Sequence, residues 1–405
     1  MKRLKITAII SVLAALSVCL CGCTTYDNFK AAFIDKPDKQ EVKIQIGVLE
    51  PVTGADSVSA EDEIRGIQLA NSVHPNVNGR VISLVFSDDK SDIDATVTAA
   101  KTLIKKKPLV ILGSYGNVYS LAASPYIKAA RIPAIAITNT NPLVTRNNEY
   151  YFRVCYVDSN QGDLLARYVL DSKKEEEAGV LLPAGDDAAL ATASTFTDRI
   201  KAETENEGAI SYYEEYTTGQ KDFSKELTKL KKSGVKSVIL PGDYIDAAEI
   251  IKQASSMGLD VQFLGDTTWG DKEFRKLAGD GAKAENMAFV QFFSADSGVD
   301  GEAVTAERDK FLKAYYKKYG RDSEPTEAMA LGYDAYFVAI DAIKKAGDDL
   351  STKKVHSILA DPMYAFEGAS GSINFSSLGD PIKTAYISTW RGSEMNAIYT
   401  VEAQK

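Results

Sequence analysis

The stretch between residues 109 and 142 restricts the fold more than any other, because strand-like, helical and loop-like segments alternate within it. The stretch begins with an apolar run at residues 109–112 and a polar loop at 113–117. A helical pattern at 118–130 follows, then a second apolar run at 134–137 and a second polar loop at 138–142. Short apolar runs joined by a helix are typical of parallel strands, whose carboxyl ends meet at one edge of the sheet. Open α/β sheets bind ligands at that edge, so both polar loops are candidate ligand loops, although ordinary polar turns have the same composition.

The start of this helical pattern is a candidate anion site. Asn117 precedes the apolar positions and is expected to cap the helix, which leaves backbone N–H groups of the first turn free. Free N–H groups at a helix start favour an anion such as the carboxylate of a ligand.

The same alternation extends over most of the chain. It begins near residue 42 and, after a polar break at residues 158–163, it begins again near residue 179. Two successive sets of similar size predict two similar α/β lobes. Long helical patterns at residues 302–319 and 327–346, followed by short strand patterns, indicate that the chain then returns to both lobes.

Composition excludes several classes of function. The net charge is −9 and acidic and basic residues are interspersed, which argues against a nucleic-acid partner and against charge-driven binding to anionic lipid. The chain has only 2 histidines and no phosphate-binding glycine motif, which disfavours a Ser-His-Asp triad, a His-rich metal site and a nucleotide site. We therefore expect no cofactor, no metal and no enzymatic activity.

The first residues predict export and a lipid anchor. Residues 1–5 are basic, residues 6–20 are apolar but short for a membrane span, and Leu20-Cys21-Gly22-Cys23 resembles a bacterial lipobox. This predicts a signal peptide over residues 1–22, lipidation of Cys23 and a flexible tether over residues 23–41. The expected location is the outer face of the bacterial cytoplasmic membrane; a plain cleaved signal or an uncleaved anchor is the alternative.

Four segments together resemble a known family. They are P-x-T-G with a following G-x-x-L-A at residues 51–54 and 66–70, the stretch at 109–145, D-F-S at 222–224, and G-Y-D-A at 332–335. In these motifs the chain resembles the solute-binding lipoproteins of branched-chain amino acid ABC importers, of the leucine/isoleucine/valine-binding type. The resemblance implies the type I periplasmic-binding-protein fold: α/β, with two Rossmann-like lobes that have parallel central sheets, are joined by three crossovers and close like a hinge.

The resemblance also implies a division of the chain and a set of partners. Residues 42–158 and 295–366 form the first lobe, and residues 159–294 and 367–405 form the second. A monomer is expected to capture a small zwitterion, an amino acid of branched-chain or aromatic type, and to deliver it to a membrane permease. A ligand-sensing subunit of the same fold, or a binder of an amide or small carboxylate, is the alternative; an enzyme on this scaffold is the third and weakest reading.

In the first lobe, the resemblance places ligand-binding residues on both polar loops. The carboxylate-binding position falls on Asn117, where the family usually has serine, and an amide can donate as a hydroxyl does. The loop for the ammonium group falls on Thr138, Asn139 and Thr140, and Thr140 matches the usual hydroxyl. Tyr115 either leaves room for a large side chain or fills the cleft.

In the second lobe, the expected pattern is only partly present. The aromatic residue expected on the loop at Asp186 is missing, and Tyr244 matches a tyrosine of the pocket. The acid that pairs with the ligand ammonium should fall on Thr267, beside Asp266. Asp266 takes the role, or no charged partner sits there and Asp186 or Asp187 on the other loop serves the ammonium. Trp269 is expected to line the pocket or to cover the core of the lobe.

Overall fold

The computed structural model describes residues 43–281, 283, 285–295 and 305–402. The predicted signal peptide, the lipidated Cys23 and nearly all of the tether lie outside these residues. Contacts divide the chain into Met1–Lys43 and Ile44–Lys405, and only the second unit is considered below. In the described part of the chain, no helix has the length and apolarity that crossing a membrane requires.

The first sheet has six strands in the order β2-β3-β1-β4-β5-β6. All neighbouring pairs are parallel except β2 with β3, which form a short hairpin. The strands are β1 Ile44–Glu50, β2 Asn76–Val77, β3 Arg80–Asp88, β4 Val110–Gly113, β5 Ala134–Ala136 and β6 Tyr151–Arg153.

The second sheet has seven strands in the order β16-β15-β11-β10-β9-β7-β8. The five strands from β7 to β11 run parallel, and β15 and β16 add an antiparallel edge. The strands are β7 Ala178–Pro183, β8 Ile210–Tyr216, β9 Ser237–Ile239, β10 Gln262–Gly265, β11 Met287–Gln291, β15 Ala385–Arg391 and β16 Glu394–Val401. Two mostly parallel sheets with helical connections confirm the predicted α/β fold class.

Helices connect the parallel strands and pack on the sheets. They are α1 Ser57–Val73, α2 Ile93–Lys105, α3 Asn117–Ala130, α4 Leu143–Arg146, α5 Asp158–Arg167, α6 Asp187–Thr204, α7 Ser224–Ser233, α8 Tyr244–Ser256, α9 Lys272–Ala278, α10 Ala306–Tyr319, α11 Glu327–Ala346 and α12 Thr352–Leu359. A π-helical turn at Tyr168–Lys173 and 3-10 turns at Thr267–Gly270 and Gly279–Gly281 complete the set.

A small antiparallel sheet is inserted in the sequence between β11 and β15 of the second sheet, and it contacts the first sheet. Its strands are β12 Ala365–Gly368, β13 Gly371–Phe375 and β14 Pro381–Lys383. Asp380 pairs with Arg153 of β6, and Ser370 donates to Asp334 of α11. The division into lobes stays a prediction; these contacts favour a final crossover near Thr384 instead of residues 366–371.

Two glycines of the family motifs allow α1 and α11 to pack backbone against backbone. A Cβ atom on Gly66 would lie 2.1 Å from the carbonyl oxygen of Met329, and one on Gly332 would lie 2.4 Å from that of Glu63. No side chain fits at either position without separating the helices. The glycines of G-x-x-L-A and G-Y-D-A therefore serve one helix contact.

The start of α5 differs from the prediction. Residues 158–163 read as a polar break, but they form the first turns of α5. Gly162 sits against α6, because a Cβ atom there would lie 2.1 Å from the carbonyl oxygen of Thr192. The polar and glycine residues that suggest a loop are here the contact surface of a closely packed helix.

Candidate functional site

The loops after β1 and β4 meet at the point where the order of the first sheet reverses. β1 lies between β3 and β4, so its carboxyl end opens a crevice of the kind that binds ligands in α/β sheets. Leu49 of β1 is in register with Gly113 of β4, and the next residue of β1, Glu50, accepts a hydrogen bond from the backbone N–H of Tyr115 at 2.9 Å. The structure thus brings the predicted loop at Tyr115 to the crevice.

The loops after β4 and β5 are joined by side-chain amides. The Nδ2 atom of Asn139 donates to the carbonyl oxygen of Ser114 at 2.9 Å, and the Oδ1 atom of Asn117 accepts from the backbone N–H of Asn141 at 3.1 Å. The predicted cap at Asn117 is wrong, because α3 begins at Asn117 and its capping residue is Gly116, which makes no side-chain cap bond. The Asn117 amide holds the neighbouring loop instead, and its Nδ2 atom is left as a donor.

A buried arginine holds the loop after β5 in place. The guanidinium of Arg153, at the end of β6, donates to the carbonyl oxygens of Asn139 and Asn141 at 2.6 and 2.9 Å. It also donates to the Thr145 hydroxyl at 2.8 Å and pairs with Asp380 at 2.7 Å. The buried Arg153 guanidinium therefore holds the backbone of this candidate ligand loop in place.

Two buried glutamates lie behind the same loops. The Thr138 hydroxyl donates to Oε1 of Glu63, which lies on α1, and the carboxyl groups of Glu50 and Glu63 lie close enough to shift each other's pKa. Both are fully buried. Burial raises the pKa of Glu50 well above its usual value and that of Glu63 to about 7.

Asp158 begins α5, where the chain passes from the first sheet to the second, and the predicted first crossover lies here. Its backbone N–H donates to the Thr140 carbonyl at 3.2 Å, and the Thr140 side chain partly offsets the rise that burial causes in the pKa of its carboxyl group. Three residues further on, the Oε1 atom of Gln161 accepts from the backbone N–H of Thr267 at 3.0 Å. The charge of Asp158 contributes to the raised pKa of Asp266, whose main cause is burial. The predicted residues Thr140, Asp266 and Thr267 therefore come together around this crossover.

Asp186 and Tyr244 lie at the corresponding reversal point of the second sheet, between β7 and β9. The carboxylate of Asp186 caps α6 by accepting from the backbone N–H groups of residues 188 and 189 at 3.0 and 2.9 Å. Tyr244 begins α8 and packs, half-buried, against the core of the second sheet. Their described contacts lie within the second-sheet part of the chain.

Trp269 takes the second of the two roles considered for it. Its side chain is 0% exposed, stacks on Phe274 with ring centroids 4.8 Å apart, and lies over the backbone of Gly265. The tryptophan thus covers the core of the second sheet. Its place in a loop shortly after an apolar run made a cleft position about equally plausible from sequence, and the structure forms a 3-10 turn there.

Glu50, Glu63 and Asp158 were not among the predicted ligand residues. Glu50 is an acid in the last position of a mostly apolar strand, directly after Val48 and Leu49, which was a usable signal. Glu63 follows the helical spacing of a buried face, one turn before Ile67. Asp158 was assigned to a crossover, and only the contact with Thr140 reveals its position beside the ligand loop.

Two other features of the described residues bear on the site. A depression of about 420 Å³ lies between β3 and α2 and is lined in part by Ser87, Lys90, Asp94 and Thr98, none of which is a predicted ligand residue. No group of three or more His, Cys, Asp or Glu side chains among the described residues is arranged to hold a metal ion. The loops after β4 and β5 therefore remain the candidate site.

Comparison with known proteins agrees with this architecture. A Leu/Ile/Val-binding protein homolog of Brucella abortus is 26% identical over 398 residues, which cover 93% of this chain and 95% of the relative. The branched-chain amino acid transporter substrate-binding protein of Streptococcus pneumoniae, solved with isoleucine, is 26% identical with a TM-score of 0.68 and covers 89% of this chain and 99% of its own. A Rhodopseudomonas palustris solute-binding protein, solved with 3,4-dihydroxybenzoic acid, shares the fold at 21% identity with a TM-score of 0.66, covering 90% and 98%.

The fold and the paired loops define a two-sheet solute-binding protein of the ABC-transporter type. The sequence profile of the periplasmic binding protein family matches residues 43–394, and the chain belongs to this family. The resemblance inferred from the four motifs is confirmed. Membership also confirms that the protein is not an enzyme, and it places the folded part of the chain outside the cytoplasm.

Proposed function

We propose that this protein captures a free amino acid, of branched-chain or aromatic type, between the loops of its two large sheets and delivers it to an ABC permease. The observation that carries the proposal is that donors and acceptors are separated along the first-sheet loops. Asn117 and the first turn of α3 offer N–H donors on one side. Thr138, Thr140 and Asp158 offer oxygen acceptors on the other.

The donor side suits a carboxylate. A helix start leaves the first N–H groups without intrahelical partners, and its dipole favours a negative charge. Because Oδ1 of Asn117 is used by the backbone of Asn141, the amide presents only Nδ2 hydrogens to a ligand. A serine hydroxyl at this position would also donate a hydrogen bond to the carboxylate. Asn117 therefore keeps the chemistry of the family site, although it replaces the usual serine.

The acceptor side suits an ammonium group. Asp158 and Asp266 both have pKa values raised by burial, and each is half-buried near the crossover. A bound cation between them would offset the cost of desolvating two carboxylates. The 26% identical relative solved with isoleucine supports an amino acid as the ligand. We assign Asp158, with Asp266, as the ammonium partner in place of Thr267.

A binder of a small carboxylate without an ammonium group is the second candidate. It is favoured by Thr267 at the position where the resemblance implies an acid, and by the use of Asp266 as the cap of a 3-10 turn. In that case the carboxylate site at α3 would be kept, and the acceptor side would bind hydroxyl groups.

A thermal-shift screen of the full-length protein against amino acids, amides and small carboxylates tests both candidates, since a ligand that binds only the folded state raises the melting temperature. For the ligand found, Asn117→Ala should weaken binding about tenfold or more while changing the melting temperature by only about 1–2 °C. Asn206→Ala is the matched control, because its Oδ1 also accepts one backbone N–H, at 2.9 Å, far from the loops. Equal affinity in the two variants would remove the carboxylate site.

The lipid anchor at Cys23 also remains part of the proposal. A tethered protein stays close to the membrane that holds the permease. Mass spectrometry of the exported chain should give a mature protein that begins at Cys23 and carries the mass of a lipid. A chain that begins elsewhere or lacks that mass would contradict the anchor and leave the ligand proposal intact.

A further inference from the structure

Glu50 and Glu63 form a carboxyl pair whose hydrogen bonds are incomplete without an additional proton. Glu50 uses Oε2 to accept from the Tyr115 backbone, and Glu63 uses Oε1 to accept from the Thr138 hydroxyl. The remaining oxygens, Oε1 of Glu50 and Oε2 of Glu63, are buried and have no conventional partner. The two side chains contact each other, so these oxygens satisfy each other only if a hydrogen lies between them.

The surroundings disfavour two negative charges at this place. Both side chains are 0% exposed. The ionisable groups that face the pair are Asp89, Tyr115, Tyr151 and Cys155, from the ends of β3, β4 and β6 and the chain that follows β6. None of these groups can carry a positive charge. Two buried carboxylates in contact hold one proton between them when no cation compensates them.

We propose that Glu50 and Glu63 share one proton and act as positioning residues that commit the Thr138 hydroxyl to donate into the protein. The Thr138 oxygen then faces the cleft only as an acceptor. Its partner on a ligand must be a donor, which in an amino acid is the ammonium group. This assignment of Thr138 rests on the proposed function, whereas the shared proton does not.

Glutamine substitutions distinguish a shared proton from other arrangements. In Glu50→Gln or Glu63→Gln the oxygen of the amide keeps the outer hydrogen bond, and its Nε2 donates to the remaining carboxylate, as the shared proton would. In the double variant both oxygens face outward to Tyr115 and Thr138, so two Nε2 groups face each other without an acceptor. A single substitution should therefore be tolerated, and the second one should not.

The first test is the melting temperature of the full-length protein between pH 5.5 and 9. Burial raises the folded pKa of Glu63 to about 7 and that of Glu50 well above its usual value. The native state therefore keeps protons that the unfolded state loses near pH 4.5, the last of them the one shared by the pair, and wild-type stability falls as pH rises. Each single variant should melt at or above the wild-type temperature at pH 7 and lack this component of the pH slope. The double variant should melt lowest, by at least about 3 °C.

The outcome for the double variant decides the shared proton. If it melts as high as the single variants, the two carboxyl groups do not share a hydrogen and the proposal is overturned. If both single variants melt well below wild type with unchanged pH slopes, the side chains are ordinary packing elements and the proposal is equally overturned.

The second test addresses the role of Thr138 with isoleucine and its 2-oxo analogue as probes. Thr138→Val should weaken isoleucine binding about tenfold or more and leave binding of the amine-free analogue unchanged, while Thr138→Ser and Glu63→Gln stay within about threefold of wild type. Equal losses for both probes would overturn the acceptor role. If wild type binds neither probe, the proposed function fails, and the melting series still decides the shared proton.

Discussion

Replacing Arg153 with methionine tests how much one buried cation contributes to the candidate site. Methionine keeps the apolar stem of the side chain and removes every donor. The guanidinium is fully buried and makes hydrogen bonds to the carbonyl oxygens of Asn139 and Asn141 and to the hydroxyl of Thr145. It also pairs with Asp380, whose side chain is 19% exposed.

The expected cost follows from the groups that lose their partner. Removing one member of a buried ion pair typically costs ~3–5 kcal/mol, because the remaining charge stays desolvated. Asp380 reaches water and keeps the hydrogen bond from Thr145, so we expect a loss of ~3–4 kcal/mol in the free energy of unfolding. For a folded unit of residues 44–405, an unfolding entropy of ~0.8 kcal/mol/K makes this a fall of ~4–5 °C in melting temperature.

The matched control is Arg199→Met. Arg199 also contacts two acids, Asp163 at 2.6 Å and Glu203 at 2.9 Å, but its side chain is 33% exposed. Exposed pairs contribute little, so this variant should lose less than ~1 kcal/mol. Urea unfolding followed by circular dichroism measures both. The reasoning is refuted if Arg153→Met loses no more stability than Arg199→Met.

Two further substitutions test a buried lysine, Lys383, and the close contact between α1 and α11. The pKa of Lys383 is lowered by burial to about 8 from 10.5, so the unfolded chain binds more protons between these values and wild-type stability gains from Lys383 as pH rises through that window. Lys383→Met should lack this gain, and equal slopes for both proteins in urea unfolding from pH 7.5 to 9.5 would exclude a depressed pKa. Gly66→Ala should cost ~2–4 kcal/mol in urea unfolding, because its Cβ would lie 2.1 Å from the Met329 carbonyl. Gly208→Ala, whose nearest contact is 3.3 Å away, should cost less than ~1 kcal/mol, and similar losses in the two variants would contradict the close helix contact.

Local periodicity in the sequence was sufficient to predict the elements that bury one regular apolar face. The helical pattern at residues 118–130 corresponds to α3 at Asn117–Ala130, and the pattern at residues 327–346 coincides with α11. The failures have tertiary causes. The first turns of α5 bury Gln161, which accepts from the Thr267 backbone, and Gly162, which lies against α6, so the buried face there is polar and small, and the apolar Leu164 and Leu165 come only afterwards. No local pattern separates such a face from a loop.

The candidate site was predictable where a residue type alone carries the chemistry. Asn117, Thr138 and Thr140 have short polar side chains in loops after strands, and all three lie at the edge of the first sheet. The acids behave differently, because their role depends on burial. The spacing of Glu63 fits the buried face of α1, but its burial follows only once α11 is placed over α1, and Gly332 allows that approach. Gly332, which allows this helix contact, lies 269 positions after Glu63 in the sequence.

At the site, the hydrogen bonds within the protein use only some of the donor and acceptor atoms of each polar side chain. The same residues can therefore support the structure and bind a ligand. Asp266 accepts from the backbone N–H of Thr268 through Oδ1 alone, at 2.9 Å, and Asn117 uses only Oδ1 for Asn141. A carboxylate has about four acceptor positions, so Oδ2 of Asp266 keeps its capacity for a ligand. Capping therefore does not remove Asp266 as an ammonium partner. It fixes the direction of the carboxylate instead, and a fixed carboxylate loses less conformational freedom when the ligand binds.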